Sequence, residues 1–108
     1  YNHIRYSLGA KALLLRTYYD LGEEEALLSL ADSFRHYLQR NKSINKERIV
    51  GFKNLVKFTK KAVLIKSQKG FVDAKKWTKD VEKLQQDIQG TENVINRIWL
   101  LEKVIGLA

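Results

Sequence analysis

Apolar residues recur every three or four positions in five blocks of this chain, and short polar or glycine-bearing breaks separate the blocks. In the first block, Ile4, Leu8, Leu14, Leu15, Tyr18 and Leu21 predict an amphipathic helix over about residues 2–21. Gly22 interrupts it, and Leu27, Leu30, Ala31, Phe34 and Leu38 then carry a second stripe to about residue 41. A glycine set this closely between two helices predicts a tight αα-hairpin. Glu23, Glu24 and Glu25 fall where a helix N-terminus favours negative charge.

After Asn41-Lys42-Ser43, with Ser43 or Asn45 as N-cap, a third helix is expected to run to about Ser67. It carries Ile49, Phe52, Leu55, Val56, Thr59, Ala62 and Val63 on one face. Gly51 inside it costs about 1 kcal/mol against alanine, which points to close packing against a neighbouring helix. Gln68-Lys69-Gly70 forms a loop, and Asp73 is the expected N-cap of a fourth helix reaching Gln89. There Ala74, Trp77, Val81, Leu84 and Ile88 step alternately by three and four, which predicts antiparallel packing on the neighbours. Gly90 and Thr91 resemble a C′ glycine and a new N-cap, opening a last helix from Glu92 to about Gly106. That helix is expected to present Val94, Ile95, Ile98, Leu101, Val104 and Ile105, with Trp99 and Leu100 widening the stripe. It therefore either lies deep between neighbours or meets a partner. The fold class is all-α, with about five helices in antiparallel αα-hairpins.

Composition narrows the picture. The chain has 108 residues, 44% hydrophobic and 30% charged, enough for one modest core without staples. It has no Pro, so nothing forbids long helices. It has no Cys, which excludes disulfides and thiolate chemistry and fits a reducing, cytoplasmic setting. No apolar run reaches the length of a membrane span, and the first residues lack the apolar core of a signal peptide. The chain opens on Tyr1, not Met, which suggests an excised C-terminal piece of a longer protein.

Charge changes the picture more. The formal net charge is +8. Residues 1–41 balance five basic against five acidic side chains, and residues 71–108 balance six against six. Residues 42–70 hold nine basic residues and only Glu47, so the segment of the third helix carries the whole excess. At about 100° per residue, Lys46, Lys53, Lys57 and Lys60 share an arc of roughly 60°, with Lys61 beside them. The third helix is expected to bury its apolar side and expose this lysine ridge. The ridge admits contact with an acidic protein segment, with nucleic-acid phosphates or with anionic lipid, or it is simply a solvated face. An almost pure lysine stripe, with Arg48 off the arc, weakens specific nucleic-acid recognition. Phe52 and Phe58, needed in the core, are not free to insert into lipid.

Little in the sequence points to catalysis. His3 lies in the first turn; His36 projects to solvent, with no carboxylate partner expected from its spacing, and neither has a companion for a helical metal site. The three consecutive glutamates point in different directions, and Asp32 and Glu102 lie on helix faces where ion pairs are common. The six glycines are isolated, so no phosphate-cradling loop is present. The expectation is no enzyme, no cofactor and no metal, with Trp77 and Tyr18-Tyr19 serving mainly in helix packing.

Residues 8–41 resemble one tetratricopeptide (TPR) unit, through Leu14, Tyr18-Tyr19, Leu21-Gly22, Ala26-Leu27 and Phe34. Leu15 stands where that family carries a small residue, and the closing proline is absent. The phrases Asp32-Ser33-Phe34-Arg35-His36-Tyr37-Leu38 and Trp99-Leu100-Leu101-Glu102-Lys103 are similar to the C-terminal region of uncharacterised bacterial TPR-containing proteins. The resemblance implies one helical domain over residues 1–108: a TPR-like hairpin at 1–41, the basic helix at 42–70 and a C-terminal helical pair at 71–108. It also implies a scaffold that works by protein contact, and the charge pattern makes Lys46, Lys53, Lys57, Lys60 and Lys61 the candidate partner-binding residues. Accessory nucleic-acid binding through the same lysines is the alternative.

Overall fold

The first turn of the chain back on itself is fixed by backbone hydrogen bonds around a left-handed glycine. In the computed structural model, which describes residues 3–107, α1 spans His3–Leu21 and α2 spans Glu24–Arg40. Gly22 sits between them at φ +72. Its amide donates to the Tyr19 carbonyl at 3.2 Å, and the Glu23 amide donates to Tyr18 at 3.0 Å. This is a Schellman closure, which satisfies two orphan carbonyls and reverses the chain in two residues. Glu24 and Glu25 occupy the first turn of α2, as the charge pattern predicts.

Helix α3, Lys46–Ser67, starts at Asn45 and not Ser43. The Asn45 side-chain oxygen accepts from the amides of Glu47 (2.8 Å) and Arg48 (3.4 Å), the standard N-cap contact. Ile44, in the loop just before, is buried and plugs the core between helices. Helix α4 spans Ala74–Gly90 and α5 spans Arg97–Leu107. Asp73 takes the N-cap position of α4, although its carboxylate makes no capping bond.

The expected α4–α5 boundary requires correction. Gly90 is the last helical residue of α4, without the left-handed conformation of a C′ glycine, and Thr91 closes α4 instead of opening α5. Residues 92–96 are not helical, and α5 begins five residues later than the periodicity suggests. Asn96 takes φ +57, a left-handed step that resets the helical phase. With that reset, Leu100 and Val104 face the core, while Ile98 and Ile105 are 76% and 54% exposed, contrary to the expected stripe.

Two groups hold the non-helical segment. Arg97 donates to the carbonyls of Ile88 (2.9 Å), Gln89 (3.3 Å), Thr91 and Glu92 (2.6 Å), so a guanidinium closes the C-terminal end of α4. A cation at that negative dipole end, with several donors in a fixed fork, is the charge-assisted form of a C-cap. The second group is α3 itself. The Ile95 amide donates to the Gly51 carbonyl at 3.2 Å, Asn93 Nδ2 to the Glu47 carbonyl at 2.6 Å, and Asn54 Nδ2 to the Asn93 carbonyl at 2.8 Å. Gly51 therefore does pack closely, but against this extended connection and not against a helix. A Cβ there would stand 2.6 Å from Asn93 Oδ1 and 3.0 Å from Ile95 Cγ1.

The buried face of α1 is also displaced from expectation. Leu8, Ala12, Leu15 and Tyr19 line the core, whereas Leu14 and Leu21 are 40% and 68% exposed. The consecutive Leu13-Leu14-Leu15 make α1 apolar on two sides, and tertiary packing selects the face. Elsewhere the expected stripes hold at most positions, although Ala74 of α4 is exposed and Leu30, Ile49 and Trp77 are only half-buried. Leu27, Ala31, Phe34 and Leu38 of α2 are buried, as are Phe52, Leu55, Val56, Thr59, Ala62 and Val63 of α3 and Val81, Leu84 and Ile88 of α4. The Thr59 hydroxyl, fully enclosed, donates to the Leu55 carbonyl at 2.7 Å.

Helix α3 packs against each of the other four helices. Helix α1 meets α2 and α3, and α4 meets α3 and α5. Helices α2 and α4 bring no backbone positions together and stand on two sides of α3. Trp77 Nε1 donates to the Ile65 carbonyl at 3.0 Å, joining the start of α4 to the end of α3 and making the pair antiparallel. The Tyr19 ring meets Trp99 edge-on at 5.5 Å, and Lys103 pairs with Asp20 at 2.8 Å, linking α1 to α5.

Two stability predictions follow from these contacts. Gly51→Ala gains about 1 kcal/mol of helix propensity, but it must displace Asn93 and lose its bond. The expected net is a loss of about 1–2 kcal/mol in urea unfolding. The control, Gly9→Ala in α1, meets nothing within 4 Å and is expected to gain up to about 1 kcal/mol. Arg97→Met removes the α4 closure and is expected to cost about 2 kcal/mol, while Lys103→Ala, which breaks only a partly exposed ion pair, stays within about 1 kcal/mol.

Candidate functional site: a lysine-floored trough

The site is built on the side of α3 that its packing leaves free. The buried residues of α3, from Gly51 through Phe58 to Val63, occupy a little under half its circumference. Lys46, Lys53, Lys57, Lys60 and Lys61 all lie on the remainder and all are exposed. None of the five forms an ion pair among the described residues.

Helices α2 and α4 flank α3 without meeting, and on the α2 side the lysine face borders an open trough between α2 and α3. On the α2 side is a groove of about 750 Å³. Its floor carries Lys53, Lys57, Lys60 and Lys61, and its α2 wall carries Asp32, Arg35 and Gln39. Shallower hollows of about 400 and 230 Å³ lie on the α4 side, and Lys61 borders both. Four of the five candidate lysines thus share one groove. Lys46, in the first turn of α3, lies on the same stripe but outside the groove.

The floor has an apolar component that the charge pattern conceals. Leu64 is 42% exposed within the groove, and Val50 is 48% exposed toward the N-terminal end of α3. At about 100° per residue both project within or beside the lysine arc. The ordered row is therefore Val50, Lys53, Lys57, Lys60, Leu64, with an aliphatic residue closing each end of three ammonium groups. Helical-wheel arithmetic alone could have found both; attention to charge passed over them. The contributions of Arg35 and Gln39 had no such signal, since they depend on how α2 packs.

The trough offers no surface for stacking bases. Its nearest aromatic ring, Phe58, is 1% exposed, and the Lys57 and Lys61 ammonium groups lie 4.9 and 6.0 Å from its centroid. Asp32, on the wall, is already engaged by Arg35 at 3.3 Å. It also lies 3.7 Å from His36 Nδ1, a carboxylate neighbour one helical turn back that the spacing of His36 did not lead us to expect. His36 is solvent-exposed, as anticipated.

Away from the trough, no group of three or more His, Cys, Asp or Glu side chains could hold a metal ion among the described residues. No described helix is long and apolar enough to cross a membrane. Among the described residues the Tyr19 hydroxyl is enclosed without a hydrogen-bond partner, and its pKa is raised from the ordinary 10.0 by burial and, secondarily, by the Asp20 charge. A raised folded-state value means the neutral phenol is favoured in the fold. That contribution is complete below pH 10 and is lost as pH rises through the folded value. Tyr19→Phe, which sacrifices no hydrogen bond, is expected to leave neutral-pH stability within about 1 kcal/mol and to unfold less readily than the parent above pH 10, as followed by urea titration at stepped pH.

Comparison with protein-family models, with curated proteins and with solved structures returns no match, so function has to be argued from this geometry.

Proposed function

We propose that this chain is a non-enzymatic protein–protein interaction module of a TPR-like helical-repeat protein, and that it holds its partner in the trough over α3. The observation that carries the reading is the row of unpaired lysines collected in one groove. A merely solvated ridge has no need of walls. Here four of the lysines line a groove whose other wall is α2, so a long partner seated there meets α2 and α3 together.

The order of helix contacts supports the repeat reading. Each odd-numbered helix touches the next helix and the next odd one: α1 meets α2 and α3, and α3 meets α4 and α5. Stacked two-helix repeats have this neighbour order, each unit covering the apolar face that the last leaves open. The helices at the two ends of the stack, α1 and α5, carry exposed Leu13, Leu14, Leu21, Ile98 and Ile105, apolar side chains of the kind that stacking covers.

A protein partner is favoured over nucleic acid by the makeup of the floor. Lysine is a point charge without the bidentate fork that reads bases or clamps phosphates, the trough lacks exposed rings for stacking, and Leu64 and Val50 have nothing to meet on a phosphate backbone. The test is affinity capture from a cell extract with the 108-residue chain and with a Lys57→Glu/Lys60→Glu variant, compared by quantitative mass spectrometry. The expected result is a defined set of proteins that the variant loses and that nuclease treatment leaves unchanged. Equal capture by both forms, or capture abolished by nuclease, refutes the trough as a protein-binding face.

A further inference from the structure

We infer that the occupant of the trough is an acidic amphipathic helix of about four turns, laid along α3 with carboxylates over Lys53, Lys57 and Lys60 and an aliphatic side chain at each end. This rests on the trough being the binding face, and it adds the conformation, length and residue spacing of what is bound.

The spacing comes from α3. The row Val50, Lys53, Lys57, Lys60, Leu64 steps by three, four, three and four residues, which keeps all five side chains on one line along the axis. At 1.5 Å per residue the row spans about 21 Å, and its three ammonium groups fall within about 10 Å. A second helix presents side chains at the same pitch, so one running antiparallel meets every member of the row with residues spaced four, three, four and three. An extended strand does not stay in step. Its same-face residues recur about every 6.8 Å, against lysine intervals of about 6 and 4.5 Å.

The chemistry comes from the same row. No acid of the chain pairs with these lysines among the described residues, so a carboxylate ligand displaces no ion pair, and it competes only with the Phe58 ring for Lys57. The exposed Leu64 and Val50 fix where along the row the ligand stops, because sliding by one turn places an aliphatic residue against an ammonium group. On the α2 wall, Arg35 and Gln39 border the groove beside this row, within reach of polar side chains on the flank of the bound helix.

The probe is a synthetic, fluorescently labelled helix-favouring peptide of about 15 residues, with Leu at each end and three Glu at the matching interior positions. It is titrated by fluorescence anisotropy into the 108-residue chain. A scrambled peptide of equal composition and a single-stranded oligonucleotide of similar charge serve as comparators. The expected outcome is binding at least about tenfold tighter than the scramble, weakening as salt rises through about 50 to 300 mM. Lys57→Glu/Lys60→Glu is expected to lose about tenfold or more, and a peptide with Lys in place of its Glu residues to bind that variant in preference to the parent chain. Leu64→Ser is expected to weaken the patterned peptide severalfold and to leave the scramble unchanged. Circular dichroism confirms that both variants, altered only at exposed positions, stay folded.

Equal binding of patterned and scrambled peptides, no binding of either, or tighter binding of the oligonucleotide each overturns the inference. If the patterned peptide fails while capture from extract still depends on Lys57 and Lys60, the acidic-helix inference falls and the protein-binding reading stands. If both fail, both fall.

Discussion

Everything in this fold depends on how much of α3 can be covered. Four helices lean on one, and they do so across a little under half of its surface. Side chains alone would not leave room. Two large rings, Phe52 and Phe58, already fill that arc with Leu55 and Ala62, and the α4–α5 connection must still reach the same helix. Gly51 resolves the crowding by letting a backbone approach where a Cβ would collide. The connection then spends its polar groups on α3, through Asn93, Ile95 and Asn54, instead of leaving them unpaired. The helical-propensity cost of one glycine is small beside the three hydrogen bonds and the packing that it admits.

What was legible in the sequence was whatever is periodic and local. The α1–α2 hairpin could be read because a single left-handed glycine between two stripes has few alternatives. The α3 face could be read because its core residues Phe52, Leu55, Phe58 and Ala62 share one side of the wheel, although Val50 and Leu64 fall among the lysines on the other. The start of α5 could not, because its determinants are distant in sequence. Arg97 acts on carbonyls of the preceding helix and Asn93 on the carbonyl of Glu47, so nothing within residues 92–96 shows that helix will not form there. The α1 face failed for a different reason. Three consecutive leucines satisfy two helical registers equally, and only the position of α2 and α3 decides between them.

The trough was half legible. Its charge was visible in the sequence, since residues 42–70 hold the entire excess of +8. Its α2 wall was not, since it follows from how α2 packs on α3. The lysines themselves carry the same division between local and tertiary information: their arc is a property of one helix, the groove they line a property of two.

The spacing of the lysines bears on the energetics of the free protein. Lys53 and Lys57 stand four residues apart, Lys57 and Lys60 three, and Lys57 and Lys61 four, and like charges at these spacings each cost a helix about 0.2–0.5 kcal/mol. A sequence selected only for a polar surface would interleave glutamate at these positions, as α4 does with Lys76 and Asp80, paired at 2.8 Å. Among the described residues no lysine of this row has such a partner, so the free protein carries the repulsion, eased only where the Lys57 and Lys61 ammonium groups lie against the Phe58 ring. On the proposed reading, an acidic helix laid along this row supplies the missing counter-charge. Relief of the repulsion is then one favourable contribution to that binding, about 0.2–0.5 kcal/mol for each like-charge pair.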